Sequence, residues 1–235
     1  MLNNQKIEVC YNVQIAVDEK NKLILDYEVT NAVEDSDQLS EMSKRAKNIL
    51  EVEELKVTAD AGYYNPEEIK ECLDNGIIPY VPERNADGRK NIDPSFYKRK
   101  FTYDKETDVY ICPAGNMLKL WATYNARTEK CSSCEHRTKC TTHKRGRIVT
   151  RRRYEEILED NRKRVKDNMD MINKRKELVE HPFGTIKRAF NQSYLLLKMF
   201  PKVGAEMSLT MLAYDITRVI NIVGLKKLIT EVATV

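Results

Sequence analysis

The sequence has no apolar run long enough to cross a membrane. None of its 235 residues lies in a stretch approaching the roughly 20 apolar residues that a transmembrane helix needs. The first ten residues, MLNNQKIEVC, also lack the apolar core of a secretory signal. Both absences favour a cytoplasmic protein with no membrane partner. In that compartment the six cysteines stay reduced or bind metal, and do not form structural disulfides.

The net charge is also small. The formal charge is only +4, so the chain as a whole is not a polycation. With 41% hydrophobic and 32% charged residues, the composition is that of a globular domain with room for an insertion. The positive charge is concentrated in KCTTHKRGRIVTRRR, residues 139–153, which holds seven Lys or Arg and no acid. Such a run is either a phosphate-binding surface or an ordinary solvated face.

The first 83 residues alternate between strand and helix patterns. Period-two segments rich in β-branched and aromatic residues indicate strands, and the short turn after Asp18 makes the first two a hairpin. Ser36 is expected to cap the first helix, and Pro66 occupies the first turn of the second. The pattern predicts a mixed α/β sheet, with strands at 7–18, 21–30, 55–59 and 77–83 and helices at 36–50 and 65–76.

The rest of the chain changes character twice. Residues 84–153 are polar and loop-rich with only short strand candidates, and they hold four of the six cysteines. From residue 154 onward the spacing predicts helices at 154–168, 171–190 and 205–232. The last of these has a broad apolar face that should pack against the sheet. We therefore divide the chain into 1–83, 84–153 and 154–235.

Asp60 stands at the end of the predicted strand Leu55–Ala59, in the sequence ADAGYYN. A carboxylate there faces the edge at which open α/β sheets place their ligands, and Gly62 lets the backbone turn sharply beside it. The alternative is an aspartate that only caps the following turn.

Glu180 lies in the predicted helix RKELVEHPFGTIKRAF, residues 175–190. At 100° per residue, Lys176 and Lys187 fall on nearly the same face as this carboxylate. The arrangement suits an anionic substrate approached through a metal, or it is an ion-pair ladder on a solvated helix.

Pro182 and Gly184 argue against a plain solvated ladder, because proline costs about 3 kcal/mol in a helix interior. A kink, or a new helix start at Pro182, would fix the direction of the preceding carboxylate. His181 either positions a phosphate or caps a turn.

Three segments of this chain, CYNVQIAVD, TADAGYYNPEEI and KRKELVEHPFGTIKRAF, closely resemble bacterial insertion-sequence transposases of the DDE type, in the branch with VEHPFG. The resemblance runs from about residue 8 to 222. It implies an RNase H-like fold: a mixed sheet flanked by helices, with the cysteine-containing insertion before the C-terminal helices. Three acids in that fold bind two Mg²⁺ or Mn²⁺ ions, which activate water or a 3′-hydroxyl to attack a DNA phosphodiester.

By this resemblance, Asp60 matches the second acid of the family, Glu180 the third, and Lys187 the basic residue two turns later. Related branches have tyrosine and arginine where this chain has Asn173 and Lys176. The residues expected to contact DNA are Lys176, His181, Lys187 and Arg188 near the glutamate, and Arg151, Arg152 and Arg153 in the basic run.

The first acid of the family has no counterpart that we can identify. It sits on the first of three antiparallel strands, and YNVQIAVD resembles the second of these. Asp18 and Asp26 are the nearest acids, but one falls in the hairpin turn and the other in the third strand. We therefore expect the C-terminal part of a transposase, from a split or truncated reading frame or as a fragment, with the first strand and its aspartate upstream of Met1. An upstream transposase polypeptide could complete it, or a second copy could join it as a homodimer; the alternative is an inactive remnant that binds DNA or full-length transposase as an inhibitor.

The four cysteines of the insertion have the spacing C-x18-C-x2-C-x5-C. Four thiolates at such spacings can form a tetrahedral zinc site that stabilises a region poor in apolar residues. The candidate zinc ligands are Cys112, Cys131, Cys134 and Cys140, with His136 or His143 as a substitute for one of them. Free or redox-active thiols are the alternative.

Overall fold

A computed structural model describes residues 2–3, 6–7, 10–84, 92–122, 125–151 and 153–233. The chain divides into two compact units, one formed by residues 1–82 with 157–235 and the other by residues 83–156. Each unit is described by itself.

The first unit contains three separate strand pairs. A short antiparallel pair joins β1 and β2, the hairpin joins β3 and β4 antiparallel, and β5 pairs parallel with β6, with Leu55 opposite Ile77. The strands are β1 (Leu2–Asn3), β2 (Lys6–Ile7), β3 (Asn12–Val17), β4 (Ile24–Thr30), β5 (Leu55–Thr58) and β6 (Ile77–Tyr80). The predicted mixed α/β character is confirmed, but the described strands form small separate sheets and not one continuous sheet.

Six helices belong mainly to this unit: α1 (Leu39–Leu50), α2 (Pro66–Asp74), α4 (Glu155–Asp167), α5 (Met169–Gly184), α6 (Phe200–Val223) and α7 (Leu225–Val232). Among the described helices none is long and apolar enough to cross a membrane alone. The helices α6 and α7 have that length and apolar composition only when taken together, and the chain bends by 109° between them.

The start of α1 is capped from a distance, so the predicted serine cap is wrong. The N-cap residue is Gln38, which makes no side-chain cap bond. Instead the backbone N–H of Ser40 donates to the Glu68 carboxylate of α2 at 2.8 Å. A carboxylate is stabilising at a helix N-terminus wherever it comes from in the sequence. At the start of α2 the local signals suffice, because Asn65 accepts from the Glu67 N–H and Pro66 follows it.

Two apolar clusters hold the first unit together. One lies between α1, α2, β6 and α4, and its buried residues are Leu39, Ile69, Cys72, Ile77, Val81 and Leu158. The other packs α6 against the hairpin, and its buried residues are Ile24, Ile186, Val203, Met207, Met211 and Tyr214. The prediction that the last helical segment packs against the sheet is confirmed, but it is not one helix. Gly224, with φ of 84°, ends α6 before α7.

The helix α5 runs through Pro182 without a new start there, so that part of the prediction is wrong. Pro182 is buried and lacks the N–H that would bond to the fourth residue before it. Directly after Gly184 the chain forms a π-helix, Thr185–Ala189, in which the backbone bonds span five residues. The 100° spacing used to place Lys187 on the face of Glu180 therefore does not hold past Gly184.

The second unit is built on a five-stranded antiparallel sheet of order β11-β10-β9-β8-β7. Its elements are β7 (Thr102–Asp104), β8 (Val109–Ile111), β9 (Met117–Ala122), β10 (Asn125–Arg127), α3 (Arg137–Cys140) and β11 (Val149–Thr150). Its buried core consists of Phe96, Phe101, Tyr110, Leu118, Cys140 and Val149. This unit has more regular strands and a larger apolar core than predicted. Most of its strands have two or three residues, which is too short for the alternation of polar and apolar residues to show in the sequence.

Candidate active site

Asp60 immediately follows β5 and caps the 3₁₀ turn Ala61–Tyr63. Its Oδ1 accepts the backbone N–H of Gly62 at 2.6 Å. The turn-capping role is therefore present, and it occupies one carboxylate oxygen. A catalytic role for Asp60 stays a prediction, and in that role its second oxygen, Oδ2, would bind the metal ion.

A second carboxylate, Asp35, lies beside Asp60. A Cβ built on Gly62 would lie 2.8 Å from Asp60 Oδ1 and 3.4 Å from Asp35 Oδ2, so both carboxylates border the same small space. Asp35 Oδ1 accepts from Asn12 Nδ2 at 2.6 Å and from Gln14 Nε2 at 2.7 Å. These two donors come from the start of β3, and they fix Asp35 in place between the end of β4 and α1.

Tyr63 connects this pair to the hairpin by donating its hydroxyl proton to Gln14 Oε1. Burial raises the pKa of Tyr63, the negative charges of Asp35 and Asp60 raise it further, and Arg175 opposes them. The tyrosine consequently stays a neutral hydrogen-bond donor. The buried Gln14 amide accepts from Tyr63 and donates to Asp35, so these two bonds link the positions of both side chains.

Carboxylate oxygens are the ligands that Mg²⁺ and Mn²⁺ prefer, so Asp35 and Asp60 fit part of a divalent-cation site. However, no three His, Cys, Asp or Glu side chains in the described part of the chain are placed to hold one metal ion. The described residues place two carboxylates side by side here, and they place no third acidic side chain as a ligand of the same ion.

Glu180 lies on α5, and its side chain is exposed. Its neighbour Val179 lines a cavity of about 740 Å³ that Asp60 also lines, but Glu180 itself does not. Lys176, one turn earlier, is exposed as well. The acid found beside Asp60 is thus Asp35, while the predicted pairing of Asp60 with Glu180 stays a prediction.

His181 joins α5 to α6 and to the hairpin turn. The Tyr214 hydroxyl donates to the Lys22 carbonyl at 2.7 Å and lies 2.9 Å from His181 Nδ1. Since that hydroxyl has one proton and has given it to Lys22, we assign the Nδ1 proton to the histidine. Burial, Arg218 and Lys22 lower the pKa of His181, so the ring is neutral. This structural role is visible, and DNA contact by His181 stays a prediction.

The remaining predicted DNA ligands fall on both units. Lys187 and Arg188 are exposed on the π-helix, with the Lys187 ammonium 5.9 Å from the centre of the Phe183 ring. In the second unit, the Arg151 guanidinium lies 3.6 Å from the centre of the Tyr103 ring and donates to the Tyr110 hydroxyl. These contacts give Arg151 a structural role within the unit, and its contact with DNA stays a prediction. Arg153 is exposed. Arg152 lies outside the described residues.

The four cysteines predicted to bind zinc all lie in the second unit, and none forms a disulfide. Burial, opposed by the charge of Arg147 and aided by the neighbouring thiols of Cys131, Cys112 and Cys134, raises the pKa of Cys140 to about 11. The Cys112 sulfur accepts the Asn116 backbone N–H at 3.3 Å. The sulfurs are not placed as ligands of one ion among the described residues, and zinc binding stays a prediction.

Four residues of this site escaped the sequence analysis: Gln14, Asp35, Tyr63 and Arg175. A signal existed for the first, because Asn12 and Gln14 are polar residues two apart in an otherwise apolar strand and so share one face. Asp35 lies in the loop between β4 and α1 next to other acids, Glu34 and Asp37, so the sequence does not single it out. Arg175 could be found only from the packing of α5 beside β5.

Comparisons with known proteins identify the family. The chain matches the family described as Transposase DDE domain over residues 3–216 of its 235. Searches of curated proteins and of solved structures find no match. The matched span covers both units, including β5, Asp60 and all of α5. The chain therefore belongs to the transposase DDE domain family.

Proposed function

We propose that this chain is the catalytic core of a DDE transposase with an RNase H-like fold, which cleaves and joins DNA strands with divalent metal ions. The single observation that carries the proposal is the end of β5, where Asp60 and Asp35 border one space in a chain of this family. Membership of the family supports a role in transposition, and the paired carboxylates support metal-dependent chemistry.

In this proposal each residue of the site has a physical task. Asp60, fixed by its bond to the Gly62 N–H, keeps one oxygen for a cation. Asp35 presents its Oδ2 to the same space because Asn12 and Gln14 hold its Oδ1. Tyr63 remains protonated and holds Gln14. When bound there, Mg²⁺ or Mn²⁺ would neutralise charge on a DNA phosphate and lower the pKa of a coordinated water.

The acid set is incomplete within the described residues, which supports the expectation that the first strand and its acid come from elsewhere. Glu180 on α5 is proposed as a further ligand once DNA and metal are bound. The exposed cations Lys176, Lys187, Arg188 and Arg153 would then contact the DNA backbone, whose affinity for Lys and Arg is independent of sequence and falls with salt.

The test is metal-dependent nicking of a plasmid that carries the DNA flanking the gene. The chain is co-expressed with any polypeptide encoded directly upstream. We expect nicking with Mg²⁺ or Mn²⁺, its loss in Asp60→Asn and in Glu180→Gln, and its retention in Asp74→Asn, an exposed acid paired with Lys70 on α2. The asparagine side chain of Asp60→Asn would still accept the Gly62 N–H, so that variant removes charge and not the cap. Equal nicking by Asp60→Asn would refute the proposal.

One observation favours a second candidate function. Since no three acids in the described residues are placed around one ion, the chain could act as a remnant that binds DNA or full-length transposase and inhibits it. This candidate predicts salt-sensitive DNA binding with no nicking under any metal. It also predicts no strand-encoding frame with an aspartate upstream of the gene, which its genomic sequence would reveal.

A further inference from the structure

The segment between the π-helix and α6 presents apolar side chains to solvent. Residues 193–199 (the 193–199 loop) include four large apolar side chains that are exposed: Tyr194 by 69%, Leu196 by 73%, Leu197 by 43% and Met199 by 59%. Single exposed apolar side chains are ordinary on a protein surface, but a group of them marks a surface that contacts something else. The loop is therefore a candidate binding element.

The backbone of this loop is held in place by α6. The Glu206 carboxylate accepts the N–H of Leu196 at 2.9 Å and the N–H of Leu197 at 2.9 Å. Burial raises the pKa of Glu206, but these bonds and one from the Gln192 side chain outweigh it and lower the pKa overall, so the carboxylate is charged. Hydrogen bonds to a charged group are the strong kind. The exposed side chains are consequently presented on a fixed backbone.

Both ends of the loop are also anchored. At its start, the Gln192 N–H donates to the Ile186 carbonyl at 3.1 Å. At its end, the Met199 N–H donates to the Tyr11 hydroxyl at 3.0 Å, and the Phe200 ring packs edge-on against the Tyr11 ring at 5.2 Å. Met199 has φ of 73°, a backbone conformation that a residue other than glycine keeps only where its surroundings impose it.

The charge around the loop indicates the kind of partner. Between Glu180 and Glu206 the sequence has four Lys or Arg and no acid. These cations are Lys187, Arg188, Lys198 and Lys202, and all four are exposed. The cores of protein–protein interfaces are depleted of lysine, whereas cations interspersed with aromatic and apolar side chains are typical of surfaces that bind nucleic acid. DNA is therefore the partner that fits the loop best.

The apolar side chains indicate which part of DNA the loop contacts. Cations bind phosphates, but an apolar side chain needs an apolar surface, which in DNA is mainly the faces of the bases. Stacking covers those faces in a paired duplex. Proteins reach them by stacking an aromatic ring on an unpaired base, or by inserting leucine or methionine between base steps. Tyr194 is suited to the first contact and Leu196 to the second.

We propose that the 193–199 loop binds DNA at unpaired bases, with Tyr194 stacked on a base, Leu196 inserted beside it and Lys198 on the neighbouring phosphates. The choice of DNA rests on the proposed function. The contact with bases goes beyond it, because the cations named there bind only the DNA backbone. Since the loop directly follows the π-helix, it would hold bases apart next to Lys187 and Arg188.

The experiment measures binding of the full chain to two labelled duplexes of the same sequence, by fluorescence anisotropy in metal-free buffer with EDTA. One duplex is fully paired, and the other has a short central run of mismatches. We expect the parent to bind the mismatched duplex about tenfold or more tightly, which corresponds to one stacked base. Tyr194→Ala and Leu196→Ala should each remove most of this preference, whereas Tyr194→Phe, which keeps the ring, should retain it.

Three further variants separate base contact from charge. Lys198→Ala should weaken binding to both duplexes alike and reduce the salt dependence by about one phosphate contact. Glu206→Ala removes a negative charge, so charge alone would strengthen binding to both duplexes; we expect the preference for mismatches to fall instead, because the loop loses its anchor. Leu209→Ala, at a 69% exposed position of α6, is the matched control and should behave like the parent. Far-UV circular dichroism checks that every variant folds.

Equal binding of the two duplexes by the parent would overturn the proposal. So would a preference that survives both Tyr194→Ala and Leu196→Ala. If the loop is an interface between two copies of the chain, Tyr194→Ala will change the mass in analytical ultracentrifugation and leave the preference intact, which also overturns it.

The outcome is separable from that of the proposed function, because binding is measured without metal and without cleavage. A Tyr194-dependent preference in a chain that never nicks DNA would leave the base contact and remove the enzyme. Metal-dependent nicking by a chain that binds both duplexes equally would remove the base contact and leave the enzyme.

Discussion

Replacing Gly62 by alanine separates the geometry of the carboxylate pair from overall stability. The new Cβ would lie 2.8 Å from Asp60 Oδ1 and 3.4 Å from Asp35 Oδ2, so Asp60 must turn away. Turning breaks the 2.6 Å bond from the Gly62 N–H, and a hydrogen bond to a charged group contributes about 1.5–3 kcal/mol. Against this, Gly→Ala at a compatible backbone stabilises by about 0.4–1 kcal/mol through the unfolded state.

The loss exceeds the gain, so we expect Gly62→Ala to lower the free energy of unfolding by about 1–2 kcal/mol in urea titrations. Gly204→Ala is the control, because Gly204 is helical and its added Cβ would meet nothing within 4 Å. That variant should be about as stable as the parent or up to about 1 kcal/mol more stable. If Gly62→Ala is as stable as Gly204→Ala, the carboxylates are not held as described.

Three other predictions follow from single contacts. Asn161 is fully buried and pairs with both backbone groups of Val81, so Asn161→Ala should cost about 3 kcal/mol in urea unfolding, and a loss below about 1 kcal/mol would contradict these bonds. Burial, then the charge of Glu68, raises the pKa of Cys72 to about 12, against about 8.5 when unfolded. The neutral thiol therefore contributes its full stabilisation below pH of about 8.5 and loses it as the pH rises towards 12. The difference in free energy of unfolding between the parent and Cys72→Ala should consequently become smaller between about pH 8 and 10. A difference that stays constant over this range would contradict the raised pKa. Metal analysis should find about one zinc per chain, lost in the double variant Cys131→Ser, Cys134→Ser; an unchanged zinc content in that variant would exclude these ligands.

Much of the first unit could be read from the sequence, because its signals are local. The Asn65–Pro66 start of α2, the hairpin turn at Asp18 and the strand before Asp60 each depend on residues next to one another. The start of α1 could not be predicted from Ser36, since the N–H of Ser40 donates to Glu68, which is 28 residues away in the sequence.

The candidate site was predicted in the same uneven way. Asp60 was found because it ends a strand in a recognisable motif, whereas Asp35 became visible only when Gln14 and Asn12 were seen to hold it. The helix α5 was predicted, but the π-helix after Gly184 was not. A proline in the sequence shows that one backbone N–H is missing, but not whether the helix ends there or continues with five-residue bonding.

The central claim is that Asp60 and Asp35 together hold a divalent cation, and Mn²⁺ binding followed by electron paramagnetic resonance tests it most directly. The account predicts that Asp60→Asn and Asp35→Asn each weaken Mn²⁺ binding by tenfold or more, about 1.4 kcal/mol, while Asp74→Asn binds like the parent. Undiminished Mn²⁺ binding in both site variants would contradict it.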